Sequence, residues 1–432
     1  MTTETTTETA PGPRPVAHAT AASGPRPVEQ AAAAPGPDPV DQAAATGPDR
    51  GPTLRRRLEA LIGIAATEGN LLTPLRNGDE IFPAMLEAVN AARRTVDLMT
   101  FVYWRGDIAR RFAHALARKA GEGLRVRLLL DGFGSRLIEP ELIELMEKAG
   151  VRISWFRRPV RLSPFKQNHR CHRKVMVVDG RIAFTGGVGI AEEWCGDARH
   201  PGEWRDTHVR VVGPAVDGIA AAFAQNWAEC APGTLYDGAD RFEEHEQPGD
   251  AVVQVVRGSA AVGWQDLQTL MRVVISSAEH RLRVATAYFA PDDYFVDLLC
   301  QAARRGVTVE LLVPGRHTDK RVCQLAGERH FGRMMACGVT VWQYEPTMMH
   351  AKVLTLDGTM SVIGSANFNR RSLDHDEEVV LAVVDEEFTA RLDRDFDQDL
   401  ARSQALTPSR WHRRGPARRA MEAATAPIRH FL

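Results

Sequence analysis

Neither sign of charge is in excess along the chain: 54 Lys and Arg stand against 55 Asp and Glu, a formal net charge of −1 over 432 residues. A protein that coats a polyanion needs a broad positive field, so no nucleic-acid partner is expected and any anionic partner must be met by local basic patches. Cysteine is sparse as well. The six (Cys171, Cys195, Cys230, Cys300, Cys323, Cys337) include no Cys-x-x-Cys pair and no short scaffold to staple, and they read as free thiols of a reducing compartment. No apolar run approaches the roughly 20 residues that cross a bilayer, and the N-terminus lacks the basic-then-apolar order of a signal peptide. These absences place the chain on the cytoplasmic side of the cell membrane, peripheral wherever it meets lipid. His169, His317 and His330 fall in no His-x-His or His-Glu-x-x-His spacing, so no metal is expected.

What is present describes a globular chain with room for two cores, 44% hydrophobic and 25% charged. Residues 1–53, rich in Ala, Pro, Thr and Gly, are expected to be disordered, because they have too few large apolar side chains to offset the entropy of ordering. From Leu54 the pattern changes. "GDEIFPAMLEAVNAARRTVDLMTFVYW" predicts an amphipathic helix, with Phe82, Met85, Leu86 and Val89 on one stripe, running into a strand. "IARRFAHALARKAGEG" and "LRVRLLLDGFGS" add a helix and a strand, completing a β-α-β unit. After the polar stretch "YDGADRFEEHEQPGD" the same order returns, in "LQTLMRVVISSAEHRLRVATAYFAP", "DDYFVDLLCQAARRG" and "VTVELLVPG". The expected fold is therefore α/β: two similar α-β-α lobes, 54–235 and 251–402, related by a pseudo-twofold axis. Residues 236–250 form the linker, 403–432 a basic amphipathic tail, and the site lies between the lobes.

"CHRKVMVVDGRIAFTGG", from Cys171, and "MHAKVLTLDGTMSVIGS", from Met349, are near-echoes of one another. Strand alternation sends His172 and Lys174 to one face and Asp179 to the other, and His350, Lys352 and Asp357 repeat the pattern. Asp-Gly between apolar runs signals a tight hairpin, so Asp179 and Asp357, although part of the candidate catalytic motif, suit bracing better than chemistry. The small pairs Gly186-Gly187 and Gly364-Ser365 let backbone N–H groups approach an anion, and Asn367 adds an amide. Each copy supplies half of a phosphate pocket.

A phosphodiester can be opened by a neutral imidazole attacking phosphorus while a protonated one donates to the leaving oxygen, which explains two histidines with opposite duties. Asp206 in "EWRDTHVRV" and Glu378 in "LDHDEEVV" could orient the imidazoles, and Lys174 and Lys352 could hold the phosphoryl oxygens. Candidate phosphate contacts are Lys174, Lys352, Gly187, Ser365 and Asn367, and no cofactor is required.

Paired His-x-Lys-x4-Asp motifs followed by "GG" and "GSAN" resemble the phospholipase D superfamily. "NHRCHRKVMVVDGRIAFTGG", "WRDTHVRVVGPAV", "EPTMMHAKVLTLDG" and "GSANFNRRSLDHDEEV" are most similar to bacterial cardiolipin synthases. The resemblance implies a covalent phosphohistidine on His172, with His350 as the acid. It also implies carboxylates crossed between lobes, Glu378 to His172 and Asp206 to His350. The reaction it implies joins two phosphatidylglycerol molecules into cardiolipin with release of glycerol. A phospholipase D that passes the intermediate to water or a small alcohol, or a catalytically silent lipid-binding relative, fits the same motifs.

Gly189 stands where the family usually has Asn; if that leaves the first half-pocket incomplete, Gly189→Asn should be tolerated. The tail interleaves Arg410, Arg413, Arg414, Arg418 and Arg419 with Trp411, Met421, Ile428, Phe431 and Leu432, which suits either a membrane-surface helix or a segment packed on the second lobe. The basic run "FRRPVRLSPFKQNHRCHRK" could draw anionic headgroups toward His172.

Overall fold

The computed structural model describes residues 50–158, 169–231, 244–259 and 265–425. The N-terminal tract up to residue 49, part of the basic run (159–168), much of the expected linker (232–243) and the last residues (426–432) lie outside the described residues.

The first half of the chain forms α1 (Arg50–Ile62), β1 (Thr67–Arg76), α2 (Asn77–Ala91), β2 (Thr95–Thr100), α3 (Asp107–Gly121), β3 (Arg125–Asp131), α4 (Pro140–Lys148), β4 (Arg152–Phe156), β5 (Val175–Val178), β6 (Ile182–Gly186), β7 (Thr207–Val212) and α5 (Ala215–Cys230). The second forms β8 (Ala251–Gly258), α6 (Asp266–Ser276), β9 (Arg281–Thr286), α7 (Asp293–Arg304), β10 (Thr308–Pro314), α8 (Arg321–Glu328), α9 (Phe331–Ala336), β11 (Thr340–Tyr344), β12 (Lys352–Leu356), β13 (Met360–Gly364), α10 (Arg370–Asp374), β14 (Glu378–Val384) and α11 (Glu386–Leu400). β15 (Ser403–Ala405), α12 (Pro408–His412) and α13 (Pro416–Ala424) follow.

Local sequence accounts for the principal elements. In α2, Asp79 and Glu80 occupy the first turn, where negative charge favours a helix start, and Ile81, Phe82, Met85, Leu86 and Val89 are buried on one side. In β5, alternation divides the side chains: Met176 and Val178 enter one core, Val175 and Val177 another.

The fifteen strands of the described residues join in one sheet. Outward from a central antiparallel seam between β1 and β8, the order is β1-β7-β6-β5-β2-β3-β4 on one side and β8-β14-β13-β12-β9-β10-β11-β15 on the other. The same connectivity thus appears twice, the added β15 excepted. One face of the sheet carries a core shared by both halves, in which Phe223 and Trp227 of α5 and Phe388, Leu392 and Phe396 of α11 cover Val209, Val253, Val379 and Leu381. The other face carries a separate core for each half, built on α2, α3 and α4 and on α6, α7 and α9. At the seam Asn70 bridges an irregularity in the register: its Nδ2 donates to Thr67 O and Ala251 O, and its Oδ1 accepts from Ala215 N.

Two expectations are corrected here, and of the two readings of the tail the described residues follow one. Residues 50–53, assigned to the disordered tract, begin α1, and that helix packs on the second half: Leu58 and Ile62 sit among Leu267, Leu270 and Met271, and Arg57 reaches Ser277. Cys300 and Cys337 are not free thiols but a disulfide, because α7 and the end of α9 lie side by side and bring their Cα atoms to 5.4 Å. The other four cysteines are free. The tail as far as residue 425 packs on the second half: β15 pairs with β11, Trp411 is buried against Phe331, and Arg418 forms an ion pair with Glu328. Of its apolar residues, Met421 is exposed.

Candidate active site

Each motif begins with a hairpin. The turns Val178–Arg181 and Leu356–Thr359 have both central residues in the left-handed region, Asp179 and Gly180 at φ 55° and 68°, Asp357 and Gly358 at φ 50° and 72°. Glycine adopts this conformation freely; each Asp is held in it by its carboxylate. Asp179 accepts from the backbone N–H of Arg93, Arg94 and Thr95 at 2.7–2.9 Å, and Asp357 from those of Glu279, His280 and Arg281 at 2.7–3.1 Å. Both aspartates therefore anchor the sheet away from the histidines and do not join the site.

The segments ahead of β5 and β12 cross to the opposite half. His172 N donates to Glu377 O and Glu377 N to Arg170 O; His350 N donates to Arg205 O and Arg205 N to Met348 O. These backbone bridges carry the carboxylates across. His172 Nδ1 lies 2.9 Å from Glu378 Oε1, and His350 Nδ1 lies 2.7 Å from Asp206 Oδ2. With each Nδ1–H donating to a carboxylate, each Nε2 keeps its lone pair. Buried ion pairs reinforce both bridges: Arg205 Nε contacts both Asp399 oxygens at 2.9–3.0 Å, and Arg173 lies 3.2 Å from Glu377 while donating to the carbonyls of Glu378, Ala222 and Gly258.

Lys174 donates to His172 O at 2.7 Å. Lys352 Nζ donates to His350 O and lies 2.9 Å and 3.3 Å from the two ring nitrogens of His350. All four side chains are buried. Burial, with Lys174 and Lys352 next, holds the His172 imidazole well below its usual pKa; burial and Lys352 hold His350 down to about 4, against the pull of Asp206. Burial also lowers Lys174 to about 8 and Lys352 to about 7. It raises Glu378, whereas at Asp206, against burial, the pairing with His350, the charge of Lys352 and the Thr207 N–H hold the carboxyl below its ordinary range. At neutral pH both imidazoles are thus neutral.

The small pairs serve otherwise than expected. Gly187 N donates to Thr207 O and Ser365 N to Val379 O, so these amides complete the sheet and are not aimed at an anion. What Gly187 provides is space, since a Cβ there would lie 2.2 Å from Asp206 Oδ1. Ser365 instead uses its hydroxyl, which donates to Glu378 Oε2. Asn367 is buried, and its Oδ1 accepts no hydrogen bond among the described residues. Gly189 sits under apolar cover: a Cβ would meet Val102 at 2.7 Å and Trp194 at 3.3 Å, so the expected tolerance of Asn there has no room to hold.

Residues 85–194 and 271–400 match the family described as cardiolipin synthase, PLD-like domain. The chain is 33% identical to cardiolipin synthase 2 of Bacillus anthracis over 376 residues, 86% of this chain and 72% of that one. The chain belongs to the cardiolipin synthase family of phospholipase D-like proteins. It is likewise 32% identical to cardiolipin synthase A of Pseudomonas fluorescens, over 78% of this chain and 70% of that one. Among solved structures, phosphatidylserine synthase of Haemophilus influenzae shares the fold at TM-score 0.67 and 14% identity, covering 88% of this chain and all of the other.

In this cardiolipin synthase-family chain the histidines have aromatic neighbours that the motifs do not announce. Phe101 lies 5.2 Å from His172 between ring centroids; Trp194, Trp204 and Tyr288 lie 5.1, 5.3 and 6.1 Å from His350. Trp194 Nε1 also donates to Asp206 Oδ2 at 2.9 Å, standing where Ser365 stands for Glu378. For Trp204 the available signal was its place two residues before Asp206.

Proposed function

We propose that the protein is a phosphatidyltransferase of the cardiolipin synthase type, joining two phosphatidylglycerol molecules into cardiolipin and glycerol. The observation that carries the reading is the pair of buried imidazoles, each bound at Nδ1 to a carboxylate of the opposite half, with a lysine beside each. His172 Nε2 attacks phosphorus; a P–N bond forms, and the bond to the departing glycerol oxygen breaks with its electron pair. His350 Nε2 gives that oxygen a proton. Burial and Lys352 keep His350 neutral, and an arriving phosphodiester anion offsets the lysine charge and lets the imidazole take up the proton it needs. Lys174 and Lys352 face the phosphoryl oxygens through both steps. In the second step an acceptor hydroxyl attacks phosphorus, the P–N bond returns its electrons to His172, and the hydroxyl proton passes to His350. Symmetry of sequence leaves the order of the histidines open; the family resemblance assigns attack to His172.

The substrate is a lipid, and no helix among the described residues is long and apolar enough to cross a membrane. We infer that the enzyme works from the cytoplasmic surface of the membrane as a peripheral protein that meets anionic phospholipid.

The test is incubation with headgroup- and acyl-labelled phosphatidylglycerol. Cardiolipin plus glycerol supports the reading; phosphatidic acid plus glycerol makes the protein a hydrolase, and no turnover makes it a silent relative. Quenching the His350→Asn variant under conditions that spare phosphohistidine is expected to place label on His172. Label on His350 in a His172→Ala protein reverses the assignment.

A further inference from the structure

Two phosphate groups meet in the second step: one bonded to His172, the other in the headgroup of the acceptor lipid. Lys174 and Lys352 are buried beside the histidines and serve the reacting phosphate, so the acceptor's phosphodiester requires another cation nearer the mouth. The loop between β10 and α8 supplies one. Lys320 is exposed at its end, and its ammonium lies 4.6 Å from the centroid of the Tyr288 ring, which is set edge-on to His350. The neighbouring Asp319 accepts the Tyr288 hydroxyl at 2.7 Å, and among the described residues no carboxylate lies within ion-pair distance of Lys320. Its charge still reaches into the site, adding to the forces that lower His172 and Lys174.

We propose that Lys320 binds the phosphodiester of the acceptor lipid and so selects an anionic glycerophospholipid over water or a neutral alcohol. The inference rests on the transferase reading. A phosphatidylglycerol headgroup separates phosphate from terminal hydroxyl by a three-carbon spacer. With its phosphate on Lys320 and its glycerol running along Tyr288, the hydroxyl meets His350 Nε2, which takes the proton as oxygen attacks phosphorus and the bond to His172 breaks. Tyr288 has two contacts here: its hydroxyl donates to Asp319, and its ring face steadies the ammonium. Trp204 and Met348 pack beside Tyr288 in a small apolar cluster and hold its ring in place.

The experiment is a competition in one tube. The full-length enzyme receives phosphatidylglycerol vesicles together with ethanol, and both acceptors draw on one phosphohistidine pool; the readout is the ratio of cardiolipin to phosphatidylethanol. Lys320→Gln is expected to lower that ratio by about 10–100-fold, the range of one lost charge-assisted hydrogen bond, and Lys320→Arg to keep it within about threefold of wild type. An unchanged ratio in Lys320→Gln overturns the proposal. So does an equal fall in both products, which would mean that Lys320 serves the donor. A wild-type enzyme that makes neither product overturns the transferase reading beneath it.

Discussion

Lys352→Met is expected to produce a protein that is more stable than the parent and inactive. The Lys352 ammonium falls from an ordinary 10.5 to about 7, chiefly through burial, with repulsion from Lys174 adding to it and Asp206 working against it. At about 1.36 kcal/mol per unit, that difference costs folding on the order of 5 kcal/mol wherever the group is protonated in both states. Methionine fills similar space without a charge. It forfeits the hydrogen bond to His350 O, a loss of about 1.5–3 kcal/mol. The net gain is about 2–3.5 kcal/mol, or a Tm rise of roughly 2–4 °C in a chain of this size. The pH dependence gives the reasoning a signature. The unfolded lysine keeps its proton to 10.5 while the folded one releases it near 7, so the parent gains stability as pH rises between those values. The advantage of Lys352→Met is thus greatest below about pH 7 and shrinks toward about pH 9. Denaturant titrations of both proteins across that range measure it. A variant less stable than the parent at about pH 6, or a difference that does not change with pH, would refute the argument.

The remaining predictions concern the frame and the pocket. Asp179→Ala and Asp357→Ala each remove an acceptor for three backbone N–H groups and should cost about 2–4 kcal/mol by denaturation, while the folded fraction still forms the phosphohistidine. Gly189→Asn should lower stability by about 1–3 kcal/mol without raising turnover; faster turnover would show that Val102 and Trp194 can yield. Arg173→Met leaves Glu377 buried without its cation and should cost about 3–5 kcal/mol, with a loss of kcat as Glu378 shifts. As pH rises, Lys352 at about 7 and Lys174 at about 8 lose charge while His172 stays neutral. kcat/KM should therefore fall on the alkaline side through weaker lipid binding, a limb that a KM-against-kcat analysis assigns.

The duplicated motifs, the alternation of helix and strand and the two carboxylates were legible because each leaves a local mark: a spacing, a period, an Asp-Gly turn. The strand β1 was not, since "TEGNLLTPLR" contains Gly, Pro and scattered polar residues and has no clean alternation. With it went the seam, which only pairing between distant segments reveals. The Cys300–Cys337 bridge was hidden for the same reason, its partners lying 37 residues apart on neighbouring helices. The small residues at Gly187 and Ser365 were visible, but their use was not: whether a glycine offers an amide or an empty volume depends on what packs above it, here Asp206. The wall of Trp194, Trp204 and Tyr288 comes from two distant connections, β6 to β7 for the tryptophans and β9 to α7 for the tyrosine, and no motif spacing joins them.

The seam also bears on where such a molecule could come from. β1 and β8 are equivalent strands meeting antiparallel about a local twofold, the geometry of an isologous contact between identical subunits. A first half freed from the second would expose β1 as an open sheet edge, a template for another copy of itself. In the resulting homodimer each His172 would face the Asp206 of its neighbour, as His172 faces Glu378 now. The covalent connection between the halves then acts as a tether that fixes the partner's local concentration and permits the two copies to diverge, one keeping Gly187 and Trp194 around its carboxylate, the other Ser365.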